Sequence, residues 1–319
     1  MLKLKTTIAM IAFVLLAGHT TLAQTDMDAI MMSKKQLCIG PMYSYSSWKN
    51  YWEGTLKREN LNIGTVSSNA YSLMGAYGIN NKLNVLFGAP YITTKASAGT
   101  LKGMSGIQDL SLFVKWMPIE KEAGPGTFSM YTIGGVSFPL TNYVADFLPL
   151  SIGLRSKTVS ARLMLDYQVN NLFVTASGTY VFRDNITIDR TSYYTNYLIQ
   201  SNEVQMPDGS NLNVRAGYRS GKLIAEAVLN KWTTQGGFDI TRNNMPFPSN
   251  RMNATTLGVN FKYNVTKNHT LAIVGGGNTT IAGRNMGQST TYYGGLFYVL
   301  DFSPKQKSTS TNNQPAKTN

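Results

Sequence analysis

The sequence predicts an all-β fold: a transmembrane antiparallel β-barrel of about twelve strands, with short turns at one end and long loops at the other. Three observations carry that expectation. The chain opens on an export leader, most of it alternates apolar and polar residues with period two, and aromatic residues recur at one height just ahead of the short turns.

The leader comes first. Lys3 and Lys5 precede the apolar run Ile8 to Ala17, and a small-residue site, Thr21-Leu22-Ala23, follows it before Gln24. That pattern marks residues 1–23 as a secretory signal peptide, because the apolar run falls short of the ~20 residues that a spanning helix needs. Beyond Gln24 no apolar run is long enough for a transmembrane helix. Cys38 is the only cysteine and stands well past the cleavage site, so neither an intrachain disulfide nor a lipid anchor is indicated. The formal charge of +13 falls to about +11 without Lys3 and Lys5. The cations are scattered singly rather than gathered in a stripe, which excludes nucleic acid as a partner.

The alternation is clearest in "VSARLMLDYQVNNLFVTASGTYVFRD", Val159 to Asp184. One parity carries Val159, Ala161, Leu163, Leu165, Tyr167 and Val169; the other carries Ser160, Arg162, Met164, Asp166 and Gln168. A two-residue Asn170-Asn171 turn places Val169 opposite Leu172 and brings like face against like. By the same reasoning a Ser220-Gly221 turn pairs Tyr218 with Leu223, Ala216 with Ala225, Val214 with Ala227 and Leu212 with Leu229, and sets Arg215 across from Glu226.

Twelve strands are expected, centred on Met42, Leu73, Phe87, Leu112, Ile133, Leu163, Ala176, Val214, Ala227, Val259, Ile273 and Tyr298. Five short connections lie near Asn80-Asn81-Lys82, Glu120 to Gly126, Asn170-Asn171, Ser220-Gly221 and Thr266-Lys267-Asn268. They alternate with six mostly longer polar segments, of which Asp184 to Ser210 is the longest and a candidate lid. Tyr77, Trp116, Tyr167, Tyr218 and Tyr263 each precede a short turn, and Tyr298 and Phe302 take the equivalent place in the last strand. A membrane interface selects amphipathic rings at one level, whereas a soluble β-sandwich has no reason to align them.

The other parity supplies the candidate lumen-lining residues: Asp109, Lys115, Arg162, Asp166, Arg183, Arg215, Glu226 and Lys262. An Arg or Lys facing lipid at mid-depth costs about 2–4 kcal/mol, so these charges are expected to face a lumen. They serve either as a polar conduit that orients solutes or as mutual partners across the barrel wall, as Arg215 and Glu226 could be. No catalytic residue, metal site or cofactor is expected. Once the leader is gone, His269 is the only histidine and sits beside a short turn, and no Cys or His cluster has ligand spacing. "GYRSGK" and "VGGGN" lack the strand, loop and helix context of a phosphate-binding loop.

The middle of the chain, "SGIQDLSLFVKWMP", "GGVSFPL", "LPLSIGL" and "LMLDYQVNNLFVTASGTYVFR", resembles in order and spacing the outer-membrane barrels of the meta-pathway phenol-degradation transporter family. The family's first motif runs Gly, hydrophobic, Gly, Asp where this chain has Gly106-Ile107-Gln108-Asp109, and its second runs into Pro, Thr, Gly where this chain has Pro139-Leu140-Thr141. The resemblance implies the outer membrane of a Gram-negative bacterium, a role close to that of channels for hydrophobic and aromatic compounds, and no catalytic residues. The expected function is diffusive passage of a small apolar or aromatic solute. A plugged structural or assembly barrel that binds a partner through its outer loops is the alternative, and an outer-membrane hydrolase resting on His269 is the third reading.

The barrel domain is expected to span 24–302, followed by a disordered polar tail, 303–319. "LFYVLDF" should close the barrel against "QLCIGPMYSYS", because lipid leaves an open edge unbonded. Its terminal Phe302 resembles the signal that the outer-membrane insertion machinery reads. That machinery and outer-membrane lipid are the expected partners besides the solute.

Overall fold

The computed structural model describes residues 25–241 and 244–304. Among the described residues, twelve long strands form one closed antiparallel sheet: β1 (Gln36–Trp48), β2 (Val66–Asn80), β3 (Leu83–Ala96), β4 (Asp109–Ala123), β5 (Gly126–Pro139), β6 (Thr158–Val169), β7 (Leu172–Arg183), β8 (Asp208–Arg219), β9 (Leu223–Gln235), β10 (Asn253–Asn264), β11 (Leu271–Arg284) and β12 (Thr290–Asp301). Every predicted centre falls inside its strand. Each strand pairs with its sequence neighbours, and β12 closes on β1 through Gln36↔Asp301, Ile39↔Tyr298 and Tyr45↔Tyr292. Closure leaves no strand edge facing lipid, where backbone N–H and C=O groups would find no partner. The leader and most of the polar tail lie outside the described residues.

The Asn170-Asn171 hairpin has the predicted register: Val169 pairs with Leu172, and Asn170 adopts a left-handed φ of 52°, which Asn tolerates. The next hairpin differs. Tyr218 pairs with Ala225, Ala216 with Ala227 and Val214 with Leu229, two residues along β9 from the expected partners. The cause is Ser220. Its N–H donates to the Leu223 carbonyl at 2.8 Å and its hydroxyl accepts the Leu223 N–H at 3.1 Å, so the turn residues become Gly221 and Lys222. A two-residue slip keeps every side chain on its face, so the inside and outside assignments stand. Arg215 now lies opposite Val228 and reaches Glu226 diagonally, Nη1 to Oε1 2.7 Å. A second difference is at β4–β5, where Glu120 to Gly126 is not a loop. The strands run on to Ala123↔Gly126 around Gly124, whose φ is 60°.

Leu163, Leu172, Leu212, Val259 and Leu296 are among the many large apolar side chains left exposed on the outer face, as a lipid-facing band requires. Tyr77, Trp116, Tyr167, Tyr218, Tyr263, Tyr298 and Phe302 are exposed on that face at the short-turn end. Towards the long-loop end, Tyr43, Tyr71 and Tyr91 sit side by side in register on β1, β2 and β3, and the Tyr43 and Tyr71 rings are 5.1 Å apart. These rings form a second aromatic level, at the other interface.

The long loops fold over the barrel mouth with small cores of their own. In the connection after β5, Ala145 packs with Ile186, Tyr193 and Val204 of the segment between β7 and β8, while Leu150 packs with Ile63 and Val66. Asn285, just past β11, ties two other loops together. Its Oδ1 accepts the N–H groups of Gly54 (2.7 Å) and Ile240 (3.0 Å), and its Nδ2 donates to Asp239 Oδ1 (2.6 Å) and the Arg251 carbonyl (2.8 Å). A fourfold set of partners at a residue with φ 54° is what an Asn side chain can satisfy. Asn285→Ala therefore strands the buried Ile240 N–H, at roughly 1–3 kcal/mol, together with the half-buried Gly54 N–H, and should open this corner to tryptic cleavage at Arg251.

Asp239 also receives Arg284 Nε at 2.8 Å. That guanidinium, helped by Asn285, holds its carboxyl down at about 2. A depressed carboxylate contributes stability above its ordinary titration range and loses it as pH falls through the folded value. The latch should thus persist through mildly acidic conditions and release only near pH 2, which pepsin cleavage within the 236–252 loop would report.

Candidate functional site in the barrel lumen

Six of the eight predicted charges point into the lumen and are buried there: Lys115, Arg162, Asp166, Arg215, Glu226 and Lys262. Asp109 and Arg183 sit higher, at the outer rim, where Asp109 holds the loop after β5 and Arg183 meets the ends of β8 and β9. Tyr143 donates its hydroxyl to Asp109 Oδ1 at 2.7 Å, and burial together with that carboxylate pushes the phenol well above its usual range. The Arg183 guanidinium lies 5.1 Å over the Trp232 ring, and its backbone N–H donates to Asp208 Oδ1 at 2.9 Å.

Two pairs belong to the wall itself. Arg215 meets Glu226, whose Oε1 also accepts Asn260 Nδ2 at 2.7 Å, and the Tyr293 hydroxyl donates to Asn260 in turn. Asp166 takes a bidentate contact from Arg219, at 2.9 and 3.1 Å, and accepts the Thr175 hydroxyl. Arg219 was not among the predicted residues. Its parity with Arg215 on β8 marks it as inward, but its place beside the turn concealed that. Its guanidinium stacks 3.8 Å over Phe173.

The remaining partners come from a part of the chain that no periodicity touches. Residues 25–35 lie inside the lumen: Thr25 is innermost, beside both chambers, and the segment descends to Lys34 and Lys35 at the short-turn end, where their N–H groups donate to Asn81 Oδ1 and the Gly78 carbonyl. Lys115, with no exposure at all, donates from Nζ to the carbonyls of Thr25 (3.2 Å), Asp28 and Ile30 (2.9 Å) and meets Asp28 Oδ1 at 3.2 Å. Arg162 Nη1 donates to the Asp26 carbonyl at 2.5 Å and to Asp26 Oδ2 at 3.0 Å. The Tyr131 hydroxyl donates to the Ala29 carbonyl at 3.1 Å. Apolar contacts complete the seat: Met32 packs with Cys38, Ala76 and Phe297, and Ile30 packs with Phe173 and Ile224.

This segment divides the lumen. Two chambers of about 260 and 300 Å³ meet at Thr25, Asp26, Met42 and Met74. The first has a mainly apolar wall, including Ile224, Val274 and Phe297, interrupted by Arg215, Glu226 and Lys262. Towards the short turns lies a polar vestibule of about 590 Å³ that contains Glu120, Glu122 and Gln168. Ile30 and Arg219 border both the first chamber and the vestibule, so they mark the division between them. Among the described residues no grouping of His, Cys, Asp and Glu could hold a metal ion. His269 occupies the β10–β11 turn, far along the sheet from the loop cap.

A sequence profile of the family described as the MetA-pathway of phenol degradation matches residues 65–293, which covers most of the barrel. The chain belongs to that family. No curated protein matched it in sequence. The fold of this family member is similar to that of an outer membrane channel from Pseudomonas putida F1, with a TM-score of 0.69 and 13% identity over 88% of this chain and 100% of that one. A KdgM porin in complex with disordered oligogalacturonate (TM-score 0.45, 9% identity, 82% and 98% covered) and the translocator domain of the autotransporter NalP from Neisseria meningitidis (0.44, 11%, 86% and 90%) are more distant barrels. The family member thus has the closed twelve-stranded barrel fold of that outer membrane channel.

Proposed function

We propose that this barrel is a diffusive channel for small apolar or aromatic solutes, with the 25–35 segment as its gate. The observation that carries this reading is the internal space. Wall side chains leave chambers beside a single inserted segment, and each upper chamber exceeds the ~150 Å³ that takes up benzene in an engineered apolar cavity. A barrel serving only as a scaffold has no need of such volume. The mainly apolar chamber wall suits an apolar solute, and the inward charges orient it.

Cleavage after Ala23 would leave Gln24 as the only residue ahead of Thr25, in keeping with the segment's place inside the barrel. The exposed aromatic levels fit outer-membrane lipid as solvent, and the aromatic last strand fits recognition by the insertion machinery. Among the described residues, nothing in the lumen combines a nucleophile, a base and an orienting acid, which favours transport over hydrolysis.

Liposomes that carry the refolded full chain should release an entrapped aromatic solute such as phenol faster than protein-free liposomes, while a bulky entrapped dye stays inside. Equal release from both preparations would refute the channel.

A further inference from the structure

Among the described residues, the lumen wall carries five inward cations, Lys115, Arg162, Arg215, Arg219 and Lys262, against two buried anions, Asp166 and Glu226, while Glu120 and Glu122 are exposed in the vestibule towards the short turns. Arg215 and Arg219 are matched within the wall by Glu226 and Asp166. Lys115 and Arg162 are matched only by carboxylates of the gate, Asp28 at 3.2 Å and Asp26 at 3.0 Å. Lys262 borders the same chamber as Asp26 and Asp28. The gate therefore supplies the anions that the wall lacks.

From this we infer the solute's chemical class: a small anionic amphiphile, a carboxylic acid on an apolar or aromatic body, whose acid group takes the places of Asp26 and Asp28. The inference rests on the channel reading above. When the gate leaves, two buried cations lose their counter-charges, which strongly disfavours the open state. A ligand shifts such an equilibrium only by its difference in affinity for the two states. A carboxylate supplies that difference, because it restores the ion pairs in the open lumen alone. A neutral analogue of equal shape restores nothing. The apolar surfaces of Met42, Met74, Val274 and Phe297 line the chamber that Asp26 and Asp28 border, and so are placed to hold the body of a molecule whose acid group replaces those carboxylates.

Benzoate and benzyl alcohol, which share a ring and differ in charge, provide the test in planar bilayers containing the full chain. Benzoate should raise channel opening about tenfold over benzyl alcohol, a coupling of ordinary size. Lys115→Met/Arg162→Met should abolish that preference, whereas Lys157→Met, on an exposed residue outside the lumen, should keep it. A second measurement avoids wall substitutions altogether: a chain lacking residues 25–31 should show an anion-selective reversal potential in a KCl gradient, as its surplus of wall cations requires. Equal responses to benzoate and benzyl alcohol, or a cation-selective truncated pore, would overturn the acid inference while leaving a conducting channel. A truncated chain that folds and does not conduct would instead bring down the channel reading itself.

Discussion

Removal of residues 25–31 should raise single-channel conductance or open time by roughly ten- to a hundredfold, the range expected when a state populated at a per cent or so becomes the only one. The closed state is favoured by several contacts acting together. Lys115 alone binds three carbonyls and one carboxylate of the segment, Arg162 binds Asp26 twice, and Tyr131 anchors Ala29. Ile30 is buried against the wall, a gain of about 1.5–3 kcal/mol on full burial. No residue of the deleted stretch belongs to β1, which starts at Gln36, so the ladder that closes the barrel is untouched. Bilayer recordings of the full and shortened chains, each checked for a folded barrel by its heat-dependent gel mobility, decide the matter. Equal conductance would show that the segment does not gate.

Replacement of Arg219 by Leu should destabilise the barrel by about 3–5 kcal/mol, the cost of leaving a buried charge without its partner. Asp166 is 4% exposed, takes both of its close ionic contacts from this guanidinium, and would be left with the Thr175 hydroxyl. Loss of the stack on Phe173, 3.8 Å away, adds to the effect. The double variant Arg219→Leu/Asp166→Leu should recover most of the loss, because apolar pairs of similar volume often replace buried ion pairs at little net cost. Guanidinium unfolding followed by tryptophan fluorescence would measure both variants. If the single and double variants were equally unstable, packing around Arg219 rather than its charge would be the stabilising element.

Where a feature repeats along the chain, it was legible. Strand centres, inward and outward faces and the aromatic level at Tyr77, Trp116, Tyr167, Tyr218, Tyr263 and Tyr298 all follow from period two, since a strand buries alternate residues whatever lies at the far end of the molecule. The inward placement of Lys115, Arg162, Asp166, Arg215, Glu226 and Lys262 was read the same way, and Arg219 could have been. The Ser220 turn shows the limit of local reading. Face survives a two-residue slip, but partner identity does not, and a hydroxyl's choice of hydrogen bond set the register.

The sequence by itself determined a closed twelve-stranded barrel and the alternation of faces along each strand, because alternation and turn chemistry are local; it did not separate the rim charges Asp109 and Arg183 from those deeper in the lumen. Only the tertiary structure decided that residues 25–35 return into the lumen, that Asp28 meets Lys115 across 87 positions and Asp26 meets Arg162 across 136, and that the outer loops share a cap. Single contacts between remote positions leave no periodic trace. They form because a buried cation in a narrow, low-dielectric bore takes the nearest available carboxylate, and the closed barrel brings those carboxylates within reach.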